Sequence, residues 1–304
     1  MVIQHNIAAI NSYRNLGINQ SGLNKNLEKL SSGYRINRAG DDAAGLAISE
    51  SMRSQINGLN QAAKNAQDAV GLIQTVEGAL TETHSMLQRL TTLASQSANG
   101  TYNTVARANL QLEVDQLLKE IDRIANYTDF NGIKPIAGSN TTGANMTFQI
   151  GPSKNETISV IKYSMTSTAL GLNTGGYSKA DQTADKIKGN SSKYTLTASA
   201  TAADKINIGT QTGGNLAINR INDAINLVSQ YRAGLGAAQN RLEHTINNLK
   251  VTSENITAAE SRIRDTDMAD EITAFTKNNI LLQASQSMLA QSNSVPQSIL
   301  SLIG

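Results

Sequence analysis

Two ladders of apolar residues constrain this chain more than anything else in it. The first starts at Met52 and steps by four and three through Ile56, Leu59, Ala63, Ala66, Val70, Ile73, Glu77, Leu80, His84 and Leu87. The second runs through Ile218, Ile221, Ile225, Val228, Leu235, Leu242, Ile246, Leu249, Ile256 and Ile263. Such spacing draws one stripe down one face of a helix. A helix from Asp42 to about Ala98 extends on the order of 80 Å at the α-helical rise, too long for a single globular core. The fold expected is therefore mainly α: an elongated antiparallel coiled-coil or helical bundle, out along the first ladder and back along the second, with both termini at one end. Composition agrees. With no Trp, aromatics at 4% and three Pro in 304 residues, the core is left to Leu, Ile, Val and Ala, and long helices meet few breakers. Glu77 and His84 break the apolar ladder and are expected to meet polar partners. His5 and His244 are the other histidines, and no carboxylate spacing turns any of the three into a metal site.

Between the ladders the periodicity changes. Asn99-Gly100 marks a break, and a further helix is expected over about 104–127, ended by Asp129-Phe130-Asn131-Gly132. Met146, Phe148 and Ile150 then alternate with polar residues, as do Ile158 and Val160 beyond the Gly151–Asn155 turn, which reads as a β-hairpin. Residues 174–214 are rich in Gly, Ser, Thr, Ala, Lys and Asp and poor in large apolar residues; they read as a short variable surface insert.

The two ends have a character of their own. From Asn278 to Gly304 no side chain is charged, while Ile280, Leu281, Leu282, Met288, Leu289, Ile299 and Leu300 recur among Asn, Gln and Ser. A solvated helix carries charge on its outer face, and a membrane-spanning one needs about 20 largely apolar residues. This segment meets neither condition, which leaves a helix faced by protein on its sides. Residues 1–24 hold one permanent charge, Arg14. Ile3, Ile7 and Ile10 follow a four–three spacing, and Leu16, Leu23, Leu27, Leu30 and Tyr34 resume it if Gln20 faces inward. Ser31-Ser32-Gly33 stops this first helix, and 33–42 and 261–270 are matching charged connectors.

A net charge of +2 gives no field directed at nucleic acid or an anionic membrane. Absence of Cys excludes disulfides and thiolate chemistry. There is no Gly-rich phosphate loop, no His-Glu-x-x-His and no Gly-x-Ser-x-Gly, so neither an enzyme nor a cofactor is expected. Asp41, Asp42, Asp265 and Asp267 read as helix caps and ion-pair partners of Arg35, Arg38, Arg262 and Arg264. The opening MVIQHNIAAINSY lacks a basic region followed by a long apolar one and is no secretory signal, so export would require a dedicated route.

Several stretches resemble the bacterial flagellins, the subunits of the flagellar filament. They are LEKLSSGYRINRAGDDAAGLAIS (Leu27–Ser49), NAQDAVGLIQTVEGALTETHSMLQRL (Asn65–Leu90), DFNG (Asp129–Gly132), FQIG (Phe148–Gly151), GAAQNRLEHTINNL (Gly236–Leu249), ENITAAESRIRDTDMADE (Glu254–Glu271) and the tail from Phe275. The resemblance implies an inner tube from 1–42 and 265–304, a surrounding bundle with hairpin from 43–173 and 215–264, and the insert 174–214 outside. It implies a helical homopolymer, assembled through Ile3, Ile7, Ile10, Leu23, Leu27, Leu282, Leu289, Ile299 and Leu300. It also implies unfolded export by the flagellar type III apparatus to an extracellular filament, an export chaperone on the C-terminal helix, and filament cap and hook-junction proteins as partners. A hook–filament junction protein of the same architecture is the alternative. Recognition of the monomer by the innate receptor TLR5 is implied through Arg89, Leu93 and Glu113, although Thr91 and Thr92 stand where well-recognised members carry charge.

Overall fold

The computed structural model describes residues 6–137, 145–173 and 206–303, with 296–303 as backbone only. The order is α1 (Ile7–Ser32), α2 (Ala43–Ala98), α3 (Thr104–Tyr127), β1 (Met146–Gln149), β2 (Thr157–Val160), α4 (Gln211–Arg264) and α5 (Met268–Ile303). Among the described residues the fold is mainly α with one antiparallel two-stranded sheet. The chain divides into two compact units, Met1–Asn60 with Lys250–Gly304, and Gln61–Leu249.

In the second unit, α2 buries Leu72 and Leu93 beside a stripe made of Ala62, Ala66, Ala69, Ile73, Val76, Leu80, Thr83, Leu87, Leu90, Ala94 and Ser97. The steps are three and four throughout. Every second rung of the expected ladder is thus correct (Ala66, Ile73, Leu80, Leu87), and the alternate rungs are displaced by one residue. Ala63, Val70, Glu77 and His84 lie on a half-buried flank. The same correction applies to α4, where Gly214, Ala217, Ile221, Ala224, Val228, Tyr231, Leu235, Ala238 and Leu242 are buried and Ile218 and Ile225 flank them. The reason is steric. Small rungs let helix backbones approach, so Ala wins an inward position over the larger neighbour that a hydrophobicity count prefers. Gly214 is the limiting case: a Cβ there would sit 2.9 Å from Ala98 N and 3.1 Å from Ala94 O. Of the two polar rungs, Glu77 reaches Arg232 of α4 at 3.6 Å, whereas His84 Nε2 pairs within α2 with Gln88 at 3.1 Å.

Val114, Leu118 and Ile121 of α3 complete this core with the hairpin. Met146 pairs with Val160 and Phe148 with Ile158, so one sheet face brings Ile158 and Val160 into the core. Tyr163 meets Tyr231 edge to face at 5.2 Å, and burial pushes the Tyr231 phenol up to about 12.

The expected surface insert is corrected at its C-terminal end. Ile206 and Ile208 are buried, and α4 starts at Gln211. Gln111 of α3 donates to Ile206 O at 3.1 Å and accepts from Ile208 N at 2.7 Å. One side-chain amide thereby does for this segment what a neighbouring strand would do. Ser97 Oγ bonds Ile208 O, and Ile206 N donates to Leu172 O at 3.2 Å. Residues 174–205 lie outside the described residues.

In the first unit, α1 and α5 run antiparallel. Asn6 Nδ2 donates to Ser292 O at 2.8 Å, Asn19 Nδ2 to Ser285 Oγ at 2.7 Å, and Lys29 meets Glu271 at 3.7 Å. The early turns of α2 and late turns of α4 pair likewise, through Asn60–Ser253 at 3.1 Å and Glu50–Arg264 at 2.6 Å. Gly33 ends α1 in the left-handed conformation (φ 73°) that glycine adopts without strain. The second connector is shorter than 261–270. Helix α4 continues to Arg264 because Ile263 extends its stripe, and Asp267 caps α5 by accepting from Ala269 N at 2.9 Å.

Candidate self-association surface

The site is built on α1 and α5. The half-buried row of α1 is Ala9, Ser12, Leu16, Asn19, Leu23, Asn26 and Leu30, with Asn26 the most buried. The matching row of α5 is Glu271, Phe275, Asn278, Leu282, Ser285, Leu289 and Ser292. Both alternate by heptad position: Leu16, Leu23 and Leu30 between Ser12, Asn19 and Asn26; Phe275, Leu282 and Leu289 between Asn278, Ser285 and Ser292. Half the seam is apolar and half is amide and hydroxyl. Gly22 fits where a Cβ would come 3.2 Å from Asn278 Nδ2.

Other large apolar residues point elsewhere. Ile7, Ile10, Tyr13, Ile18 and Leu27 of α1 and Ile272, Ile280, Leu281 and Met288 of α5 are exposed, Tyr13 by 70%. The nine positions expected to drive association therefore divide. Leu23, Leu282 and Leu289 serve the seam within the chain, while Ile7, Ile10 and Leu27 are exposed. Ile3 lies outside the described residues, as do the side chains of Ile299 and Leu300. Gln20 is exposed, and Asn19 takes the inward position instead. Sequence reasoning passed over Tyr13, Ile18 and Ile272. The signal available was their place one position off the polar rows, beside Ser12, Asn19 and Glu271.

The connectors anchor this pair. Arg35 N donates to Arg264 O at 2.7 Å, Thr266 N to Gly33 O at 3.0 Å, and the Arg35 guanidinium reaches Ile263 O at 2.7 Å. The Arg264 guanidinium lies 4.7 Å over the Tyr34 ring, a cation–π contact. Two of these arginines pair with glutamates rather than with the aspartates expected: Arg38 with Glu28 at 2.7 Å and Arg264 with Glu50. The aspartates bond nearby backbone or hydroxyl groups, Asp42 accepting from Gly45 N at 2.9 Å and Asp265 from Ser261 Oγ at 2.6 Å. The Arg264 hydrogen bond holds the Glu50 carboxyl below its ordinary range. The Arg38 backbone N–H does the same for Asp41.

The second expected surface comes out differently. Arg89 and Glu113 join α2 to α3 by an exposed ion pair at 2.8 Å. Leu93 has no exposed surface and belongs to the core. It is corrected from a surface contact to a packing residue.

Two family descriptions match the chain: bacterial flagellin N-terminal helical region over residues 3–141, and bacterial flagellin C-terminal helical region over residues 218–303. The chain is 50% identical to a flagellin of Bacillus subtilis over the full length of both. It is 47% identical to one of Halalkalibacterium halodurans, again over both full lengths, and 43% identical to flagellin FlaB2 of Treponema pallidum, likewise. Among solved structures, a Bacillus cereus flagellin matches at 27% identity and TM-score 0.46, over 65% of this chain and 94% of that one.

Proposed function

This chain belongs to the bacterial flagellin family and is a subunit of the flagellar filament, and from that premise we propose how it polymerises. Neighbouring copies cover the outward rows of α1 and α5, in head-to-tail contacts that do not close and so build a helix of subunits. The observation that carries this is the exposure of Ile7, Ile10, Ile18, Ile280, Leu281 and Met288 on helices whose shared seam is half polar. Burying one such side chain is worth about 1.5–3 kcal/mol, so covering the rows supplies a large driving force for assembly. The uncharged stretch from Asn278 onward belongs to the same reading, since a charge enclosed there without a partner would be costly.

The finer partners follow from the family. The chain leaves the cell unfolded by the flagellar type III route for an extracellular filament, which the absence of Cys suits. A cytoplasmic chaperone holds the C-terminal helix beforehand, and cap and hook-junction proteins meet the subunit at the filament ends. TLR5 recognition of the monomer is a narrower proposal that rests on the exposed Arg89–Glu113 pair alone.

Purified chain, heated to monomer and cooled with short seeds, is followed by sedimentation and electron microscopy beside a version ending at Lys277. Filaments from the full chain and none from the truncated one are expected. Failure of the full chain to grow on seeds would overturn the self-polymerisation reading in favour of a junction protein. Equal growth of both would remove the C-terminal rows from the account.

A further inference from the structure

Three Asn-Gly dipeptides occur in the sequence, at 57–58, 99–100 and 131–132, and the fold gives them three different environments. Gly58 lies inside α2, where its N–H is held by the helical ladder. Gly132 N–H donates to the Asp129 carboxylate at 3.1 Å, whose negative charge opposes loss of that proton. Asn99 and Gly100 are exposed in the α2–α3 turn, and Gly100 N–H has no hydrogen-bond partner among the described residues. Three donors are aimed at Asn99 instead, one of them the Tyr102 N–H, 3.5 Å from its backbone oxygen. Thr101 N–H lies 3.3 Å from its side-chain oxygen Oδ1. Arg107 Nη2 lies 3.1 Å from its backbone oxygen, with Arg107 Nε anchored on Ser97 O at 3.0 Å.

We propose that Asn99 is a site of spontaneous deamidation, built by this turn. The step is intramolecular. A base removes the Gly100 N–H proton, the nitrogen attacks Asn99 Cγ, and the bond from Cγ to the side-chain nitrogen breaks. That nitrogen leaves as ammonia after taking a proton from water. The resulting cyclic imide adds water at either carbonyl and opens to aspartate or isoaspartate, so one amide and one water become one acid and one ammonia. The Arg107 guanidinium stabilises the negative charge that spreads onto the Asn99 backbone oxygen when Gly100 N is deprotonated. The Thr101 N–H faces the oxygen that becomes anionic as Cγ turns tetrahedral. Both are donors placed where charge develops. Glycine at 100 leaves the attacking nitrogen unhindered. The product carboxylate keeps an acceptor for the Thr101 N–H, and the isoaspartate form lengthens the backbone under the bonds of Thr101 and Tyr102 to Asn99.

The test is peptide mapping by mass spectrometry of the full chain after incubation at mildly alkaline pH, following all three Asn-Gly peptides. Asn99 is expected to convert first, about tenfold ahead of Asn131, the effect of one charge-assisted bond. Arg107→Gln is expected to remove most of that lead and leave the other two sites unchanged. Should that variant unfold, the same comparison on urea-unfolded wild type decides, because there the three sites are expected to converge. Asn99 converting no faster than Asn131 in the folded chain would overturn the proposal, as would a lead that persists in the unfolded one.

Discussion

Replacing Gly214 by Ala sets two effects of opposite sign against each other. Ala is favoured over Gly in a helix interior by about 1 kcal/mol, less in the first turn of α4, where Gly214 stands. Against this, the added Cβ would lie 2.9 Å from Ala98 N, 3.1 Å from Ala94 O and 3.2 Å from Ala98 Cα. All three atoms are backbone of α2, so no side chain can rotate away, and either helix must shift. Overpacking of this kind costs typically 1–3 kcal/mol, so packing wins and the net loss is about 1–2 kcal/mol. Gly78 is the internal control: an exposed helical glycine with nothing within 4 Å of its would-be Cβ. Gly78→Ala has only the helix-propensity term and is expected to gain about 0.5–1 kcal/mol. Urea unfolding of monomer, monitored by circular dichroism, compares the three chains. Thermal midpoints should move by about 2–4 °C per kcal/mol for a unit of this size. If Gly214→Ala matches or exceeds the wild type, the close approach of α4 to Ala94 and Ala98 is refuted, and with it the account of why small residues hold the inward rungs.

Three further outcomes are expected. Leu93→Ala removes a fully buried side chain and should cost about 2–5 kcal/mol, whereas Arg89→Ala breaks an exposed, solvent-screened pair and should cost far less; equal effects in unfolding would count against the burial of Leu93. Acid should loosen the connectors. Glu50 sits below its ordinary value of 4.5 in the folded chain, so its contribution is present above that value and is lost as pH falls through the lower folded one. An NMR titration should show the Arg35 and Thr266 amides shifting together there, and indifference of both would sink the coupling. At the alkaline end, the Tyr231 phenol is pushed up to about 12 from 10.0. Its contribution is present below pH 10 and fades between 10 and 12, and one phenolate should emerge later than the others in an absorbance titration.

The long helices, the hairpin and the antiparallel return were legible in the sequence because each rests on a period that survives one-residue errors. The seating of individual side chains was not. Val70 is more apolar than Ala69, and Ile218 than Ala217, yet the smaller member of each pair faces inward. Hydrophobicity decides which face is buried; the distance between backbones decides which rung tops it, and that distance is set by the partner helix. Ile206 and Ile208 show the same limit differently. Their burial depends on Gln111, whose amide lies far away in the sequence and whose role as a strand substitute has no local signature. At the α2–α3 ion pair, Arg89 and Glu113 are polar and stay outside, but nothing near Leu93 in the sequence says that it is enclosed.

The α1–α5 pair reverses the usual relation between seam and surface, and the reversal carries the functional argument. A two-helix seam built for stability places Leu or Ile at both heptad positions, and a polar residue at one of them lowers stability while fixing register. Here one position is polar throughout, Ser12, Asn19 and Asn26 against Asn278, Ser285 and Ser292, while Ile7, Ile10, Ile280 and Met288 remain outside. These outward apolar residues are therefore unused by the pair itself, and it is the proposed assembly that would bury them. This predicts that Asn19→Leu with Ser285→Leu strengthens α1–α5 pairing in the monomer, seen as greater helicity and a higher melting point. Lost with the polar row is the bond of Asn19 to Ser285 that fixes the register, so seeded filaments of the double variant should grow more slowly or with altered lattice spacing. Normal growth alongside a more stable monomer would show that the polar row is not needed to align the outward rows, and that the apolar surface alone directs assembly.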